Sequence, residues 1–352
     1  MHVLNVMFSK GLGGIEQACV DYCEALLHKG VRVSVIIPPN APVKEALVSL
    51  RKVNIHEVKN LGNWDIFAKA YIKRIVEALH PDCVISHGGR AAQLMASTAK
   101  KQKIFHVGVL HNYSTKRFGG VDALFAVSKD IRRNAVVSTG IDDDNVVHVP
   151  NMIRPIADLY QRDGYFDPPV IATMGRFVAK KGFDLFIGAC GKLAQDGIDF
   201  QAVVGGSGEC ESALKQQVKE LGLEDKVRFI GWIKDKHAYY EDADICVVPS
   251  LHEPFGIVLL EAMMYGKPLI TSDAEGPKEI VTPDKDALMV PKGEVEALAK
   301  AMELLIKDRT LALNLVQEAR VTVGHYEVEV VAERLLNAIG QVMKSKISCV
   351  DA

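Results

Sequence analysis

The feature that most restricts this chain is a rhythm that runs twice. Short apolar runs alternate with longer segments of helical periodicity, pause at residues 150–169, which are rich in proline and aspartate, and then begin again. In the first series, residues 3–8, 31–37, 83–86, 105–110, 124–127 and 146–149 read as buried strands, with helical patterns at 16–27, 66–79 and 91–99. In the second, the strands are 170–174, 200–204, 227–230, 245–248, 269–271 and 288–290, and the helices 183–194, 211–221, 255–265 and 295–306. Strands apolar on both faces and separated by helices imply a parallel sheet covered on each side. Two series imply an α/β chain of two doubly wound, Rossmann-like domains. Ligands of such folds bind outside the carboxyl ends of the strands, so the expected site is a cleft across which the two domains face each other. The expected division is 1–155, 168–325 and a last helical stretch within 326–352.

At 352 residues the chain is long enough for two cores. Its net charge of −2 argues against a nucleic-acid partner, which calls for a basic surface. Seven cysteines are scattered with no Cys-x-x-Cys pair, which points to reduced core thiols and away from zinc. The first residues lack the pattern of a cleaved leader, and no run approaches the roughly 18 apolar residues of a membrane span. The expectation is a soluble, cytoplasmic protein with no metal and no cofactor.

Four segments carry candidate chemistry. Lys10-Gly-Leu-Gly-Gly-Ile-Glu16 follows the first strand and opens the first long helix, where amides of Gly13 and Gly14 could meet an anion. It is not a dinucleotide fingerprint, because Glu16 replaces the third glycine and the second strand ends in Pro38-Pro39 with no acid. A plain tight turn competes with the anion reading. In the second series, Gly175-Arg-Phe-Val-Ala-Lys-Lys-Gly182 sets Arg176 and Lys181 on the loop after a strand, as a diphosphate clamp or as a solvated basic loop. Gly205 belongs to a second glycine turn, which signals a tight bend or a close ligand.

The fullest motif is Glu253-Pro-Phe-Gly-Ile-Val-Leu-Leu-Glu261. Proline suits the first turn of a helix, which would make Glu253 the N-cap and set Glu261 roughly 12 Å along the axis. Phe255, Gly256 and Ile257 would then surround a helix N-terminus whose amides can hold an anion. Glu261 interrupts an apolar run and needs partners there, either ligand hydroxyls or a structural base. His111 ends a strand at the carboxyl edge of the first sheet, with His87 and His106 as competitors.

Together, Gly13-Gly-Ile-Glu16, the Arg176 and Lys181 clamp and the two spaced glutamates resemble the retaining glycosyltransferases of the GT-B fold, family 4, over nearly the whole chain. The resemblance implies that Arg176 and Lys181 bind and stabilise a departing diphosphate, that Glu253 holds the donor sugar and that Glu261 holds the ribose. It places His111 near the sugar's C6 hydroxyl, Gly14 beneath the diphosphate, the backbone near Trp232 against the base, and the last helix across the first domain. Two positions depart from the family pattern: Pro150-Asn-Met-Ile153 lacks a glycine, and the clamp is short at five residues.

The implied reaction is metal-independent transfer of a hexose with retention, from a UDP-sugar or, second, a GDP-sugar such as GDP-mannose, to a glycan or glycolipid acceptor. A GT-B epimerase is the alternative. Between residues 100 and 133, eight lysines and arginines face two aspartates, which suggests an anionic acceptor or peripheral contact with the inner membrane face, against an ordinary solvated surface. Asp142 to Asp144 reads as a capped turn rather than a metal site.

Overall fold

The computed structural model describes residues 1–9, 11, 13–60, 62, 65–156 and 164–350, without the side chains of 345–350. Lys10 and Leu12 of the first glycine loop lie outside the described residues. The chain divides into two compact units, Met1–Met152 with Tyr326–Ala352, and Ile153–His325. The sequence reading placed the first boundary three residues later.

The first unit runs β1 (His2–Met7), α1 (Gly14–His28), β2 (Arg32–Ile37), α2 (Lys44–Ser49), β3 (Val53–Glu57), α3 (Ile66–Leu79), β4 (Cys83–His87), α4 (Gly89–Gln102), β5 (Phe105–Leu110), β6 (Ala123–Ala126), α5 (Lys129–Thr139) and β7 (Val146–His148). Its seven strands are all parallel, in the order β3-β2-β1-β4-β5-β6-β7. Every residue of β1, β4 and β5 is buried, which is why these strands read as unbroken apolar runs. Side-chain caps set some helix starts: Asp65 accepts from the Ala68 amide at 2.9 Å and Ser128 from that of Ile131 at 3.2 Å.

The second unit runs β8 (Val170–Arg176), α6 (Phe183–Gln195), β9 (Gln201–Ser207), α7 (Glu211–Glu220), β10 (Val227–Gly231), α8 (Lys236–Glu241), β11 (Ile245–Val248), α9 (Ile257–Met264), β12 (Leu269–Ser272), α10 (Pro277–Ile280), β13 (Leu288–Val290), α11 (Val295–Lys307) and α12 (Arg309–Gly324). Six parallel strands follow the order β10-β9-β8-β11-β12-β13. Phe177, Phe186 and Phe200 anchor its core, each burial contributing about 1.5–3 kcal/mol. The last helix, α13 (Val328–Val350), belongs to the first unit and packs on α1, with Lys29 Nζ 2.6 Å from Glu333.

Sequence periodicity did not reveal β3, α2, α5, α8, α10 or α12. β3 is an edge strand with a half-buried, mixed sequence, and α2, α8 and α10 are too short to show a period. Among the described residues no helix is long and apolar enough to cross a membrane.

Candidate functional site

In each sheet the strand order reverses once, between β1 and β4 in the first unit and between β8 and β11 in the second. Loops leaving adjacent strands at such a point diverge and open a crevice for a ligand. Gly13 and Gly14 follow β1, and Arg176, Lys181 and Glu253 follow β8 and β11, whereas His111, Gly205 and Trp232 belong to the neighbouring strands β5, β9 and β10 or the loops after them.

In the second unit, β8 ends at Arg176, which is exposed, and a 3-10 turn over Ala179–Lys181 follows. The loop after β11 is stitched to this turn, because the amides of Leu251 and His252 both donate to the Lys180 carbonyl, at 2.9 and 3.1 Å. Gly182 makes the approach possible: its φ is +67°, and a Cβ there would overlap the Pro249 carbonyl. Lys181 and Glu253 thereby meet in a short ion pair, with Glu253 only 7% exposed.

Glu253 is not a helix N-cap. The N-cap of α9 is Gly256, at φ +96°, so Pro254 precedes the helix and Glu261 lies in its second turn. A Cβ at Gly256 would stand 3.2 Å from Glu253 Cγ. The Glu253 backbone is instead held by Gly276, whose amide donates to its carbonyl at 2.8 Å, and its own amide points at Glu275 Oε2 at 3.4 Å. The helical separation of roughly 12 Å between the two acids therefore does not exist. Gly256 and Ile257 still form a helix N-terminus without a side-chain cap, and Phe255 is buried beside it.

Glu261, 4% exposed, is satisfied by Lys236 in a short ion pair and by the Tyr240 hydroxyl, which donates at 3.4 Å. Burial, then the Glu261 charge, pushes the Tyr240 phenol up, so it remains a donor. Lys236 and Glu275 escaped sequence reasoning. Both sit in short elements or loops, and their partners are 25 and 22 residues away. Burial works to raise the Glu275 carboxyl, but hydrogen bonds and the charges of His252 and Lys292 hold it below its ordinary value.

Glycines of the second unit answer packing needs. Gly175 (φ +155°) pairs with Gly206 (φ +137°) in the β8–β9 register, and a Cβ on Gly206 would overlap the Gly175 carbonyl. A Cβ on Gly205 would overlap Ile233. Trp232 follows β10 and is 43% exposed.

In the first unit, Gly13 is the N-cap of α1, and Glu16 turns back onto the loop. Its carboxylate accepts from the amides of Gly11 at 3.2 Å and Gly13 at 3.0 Å, and from the Ser9 hydroxyl. The expected anion cradle at Gly13 is thus filled by the chain's own glutamate, a capping box at the positive end of a helix. Gly14 has nothing within 4 Å of where a Cβ would stand.

His111 follows β5 and stacks on His87 with ring centroids 5.7 Å apart, while His87 meets Tyr22 edge-on at 4.9 Å. Burial brings the His111 imidazole down to about 4, and burial, then the neighbouring His111, holds His87 well below its ordinary value, so both are neutral at pH 7. His106 is tied to the Ser86 hydroxyl at 2.8 Å. Asp143–Asn145 forms a 3-10 turn whose Asp143 pairs with Arg132 at 2.8 Å.

A family model described as glycosyl transferases group 1 matches residues 162–322, and one described as glycosyltransferase family 4 matches 12–155. The chain is 28% identical over 352 residues to lipopolysaccharide core biosynthesis glycosyltransferase LpsE of Rhizobium meliloti, spanning 96% of this chain and 99% of that protein. It is 29% identical over 313 residues to LpsD of the same organism, spanning 88% and 90%. Among solved structures, a glycosyltransferase from Rickettsia africae superposes with a TM-score of 0.83 at 20% identity, over 97% of this chain and 98% of that one. HepE of Anabaena, in complex with UDP and glucose, does so at 0.82 and 19%, over 97% and 99%. With two models tiling most of its length, and these folds behind it, the chain belongs to the group 1, family 4 glycosyltransferases of the GT-B fold.

Proposed function

We propose that this glycosyltransferase moves a hexose from a UDP-sugar, with GDP-mannose as the second candidate donor, to a glycan or glycolipid acceptor, with retention and without a metal. One observation carries the reading: Lys181, Glu253 and Arg176 are gathered where β8 and β11 part, beside the uncapped N-terminus of α9. Departure of a nucleoside diphosphate places negative charge on the leaving oxygen, and fixed cations with a helix N-terminus offset that charge. The electron pair of the C1–O bond leaves with the diphosphate. The acceptor oxygen bonds to C1 on the same face, and its proton passes to the departing phosphate oxygen. Glu253 suits the sugar hydroxyls, Glu261 the ribose, and neutral His111 a further hydroxyl.

The UDP preference is supported by HepE, whose structure holds UDP and glucose, and the acceptor class by the lipopolysaccharide core roles of LpsE and LpsD. Lys100, Lys101 and Lys103 at the end of α4, and Lys129 on α5, favour work at an anionic membrane face. Arg132 and Arg133 are engaged by Asp143 and Asp130. The test is thermal stabilisation by UDP-, GDP- and ADP-sugars, beside the Glu261→Ala variant, followed by product anomer analysis in EDTA. A midpoint raised by one donor class, and lost in the variant, supports the reading. Stabilisation by NAD alone, an inverted product, or activity abolished by EDTA would each overturn its part.

A further inference from the structure

We infer that the first unit carries a pocket for an anionic sugar, a phosphorylated or carboxylated one, read by Lys116 and Arg117. This rests on the transferase reading above, of which it specifies the acceptor. The cavity holds about 370 Å³, within the range of small-molecule sites and too large for one oxyanion. Gly89, His111, Asn112, Ser114, Lys116 and Arg117 contribute to its wall, and among the described residues no aspartate or glutamate lines it. Lys116 and Arg117 are exposed, and neither forms an ion pair among the described residues.

The placement of Arg117 is the telling part. Its aliphatic stem lies over the first turn of α4, so closely that a Cβ on Gly89 would stand 2.9 Å from Arg117 Cβ. A glycine at that position lets the stem settle there. The N-cap of α4 is Gly88, which offers no side-chain cap, and the first turn contains no acid. Arg90 adds a further cation to the same turn. Cations at the positive end of a 14-residue helix repel its uncapped amides, and an anion resolves both.

The rest of the wall suits a sugar ring. Asn112 uses Oδ1 to accept from the Ser114 amide at 2.9 Å, which leaves its Nδ2 and the Ser114 hydroxyl for ligand hydroxyls. The His111 Nε2 is buried without a partner, and its low pKa makes it a neutral hydrogen-bonding group rather than a competing charge.

Calorimetry on the full chain, at fixed low salt, tests this with glucose 6-phosphate, glucuronate, inorganic phosphate and glucose, each with and without saturating UDP. Both anionic sugars should bind in the presence of UDP, inorganic phosphate more weakly, and glucose not measurably. The Lys116→Ala/Arg117→Ala variant, altered only at exposed positions, should lose at least tenfold in affinity for the anionic sugars. Equal binding by the variant overturns the pocket, as does binding abolished by UDP, which would place the sugar phosphate in the diphosphate site. Preferential binding of glucose overturns it too. If UDP fails to stabilise the protein while the variant still loses glucose 6-phosphate, the donor reading falls and the pocket stands.

Discussion

Lys181 reaches Glu253 across 72 residues of chain, joining the turn after β8 to the loop after β11 at the point where the second sheet reverses direction. Neither residue is well solvated, so each holds the other's charge. A double-mutant cycle of Lys181→Met and Glu253→Gln, read by urea unfolding, should show a coupling of about 1–3 kcal/mol. In the same proteins, Lys181→Met should lower kcat at least ~10²-fold, as expected for a cation facing a leaving group. Additive unfolding energies would show that the pair contributes nothing to the fold.

Acid should weaken the first unit before its carboxylates titrate. His111 has a folded pKa of about 4 because of burial, against an ordinary value of 6.5. Between those values the unfolded chain binds the extra proton, so stability rises with pH across this window, is complete above about 6.5, and is lost as pH falls towards 4. The slope for one such group approaches ~1.4 kcal/mol per pH unit. Unfolding midpoints from pH 4 to 8 should show it, and His111→Asn should flatten the curve. An unchanged curve would assign the acid sensitivity to other groups.

Two glycines with positive φ should respond differently to alanine. At Gly206 a side chain would overlap the Gly175 carbonyl in addition to the strain of φ +137°, whereas at Gly222, φ +64°, the space is open. Gly222→Ala should cost about 1 kcal/mol, from backbone strain alone. Gly206→Ala should cost at least ~3 kcal/mol and loosen the loop that follows β9. Similar thermal shifts for the two would contradict the close approach.

Glu16 closes the first glycine loop by holding the amides of Gly11 and Gly13. Glu16→Ala should cost about 1–2 kcal/mol, the usual size of a lost helix cap. Hydrogen exchange at Gly13 is the more direct reading and should accelerate at least tenfold. Unaltered exchange would mean that the amides are protected by something other than the carboxylate.

Long-range order in this chain was readable where period and composition agreed. The strands at 105–110, 245–248 and 288–290 coincide with the apolar runs that announced them, since both faces of a parallel strand are buried. The helix at α9 was legible as a helix but misplaced at its start. Pro254 pointed to a start at Glu253, but the helix begins after Gly256, and Glu253 is held outside it by ties to Lys181 and Gly276 that no local pattern encodes. Glu261 announced itself as a carboxylate in an apolar run, yet its partner Lys236 sits in a helix of six residues without a detectable period. Arg117 over Gly89 joins a loop to a helix turn 28 positions earlier, a contact that only the parallel sheet creates.

The return of α13 to α1 sets an order of events during synthesis. Ile153–His325 is continuous and leaves the ribosome whole, so it can acquire its core while translation proceeds. Met1–Met152 has to wait: one flank of α1 lacks its neighbour until α13 has been made. The N-terminal sheet is therefore synthesised early and finished late, and its apolar flank is the surface a chaperone would meet on the nascent chain.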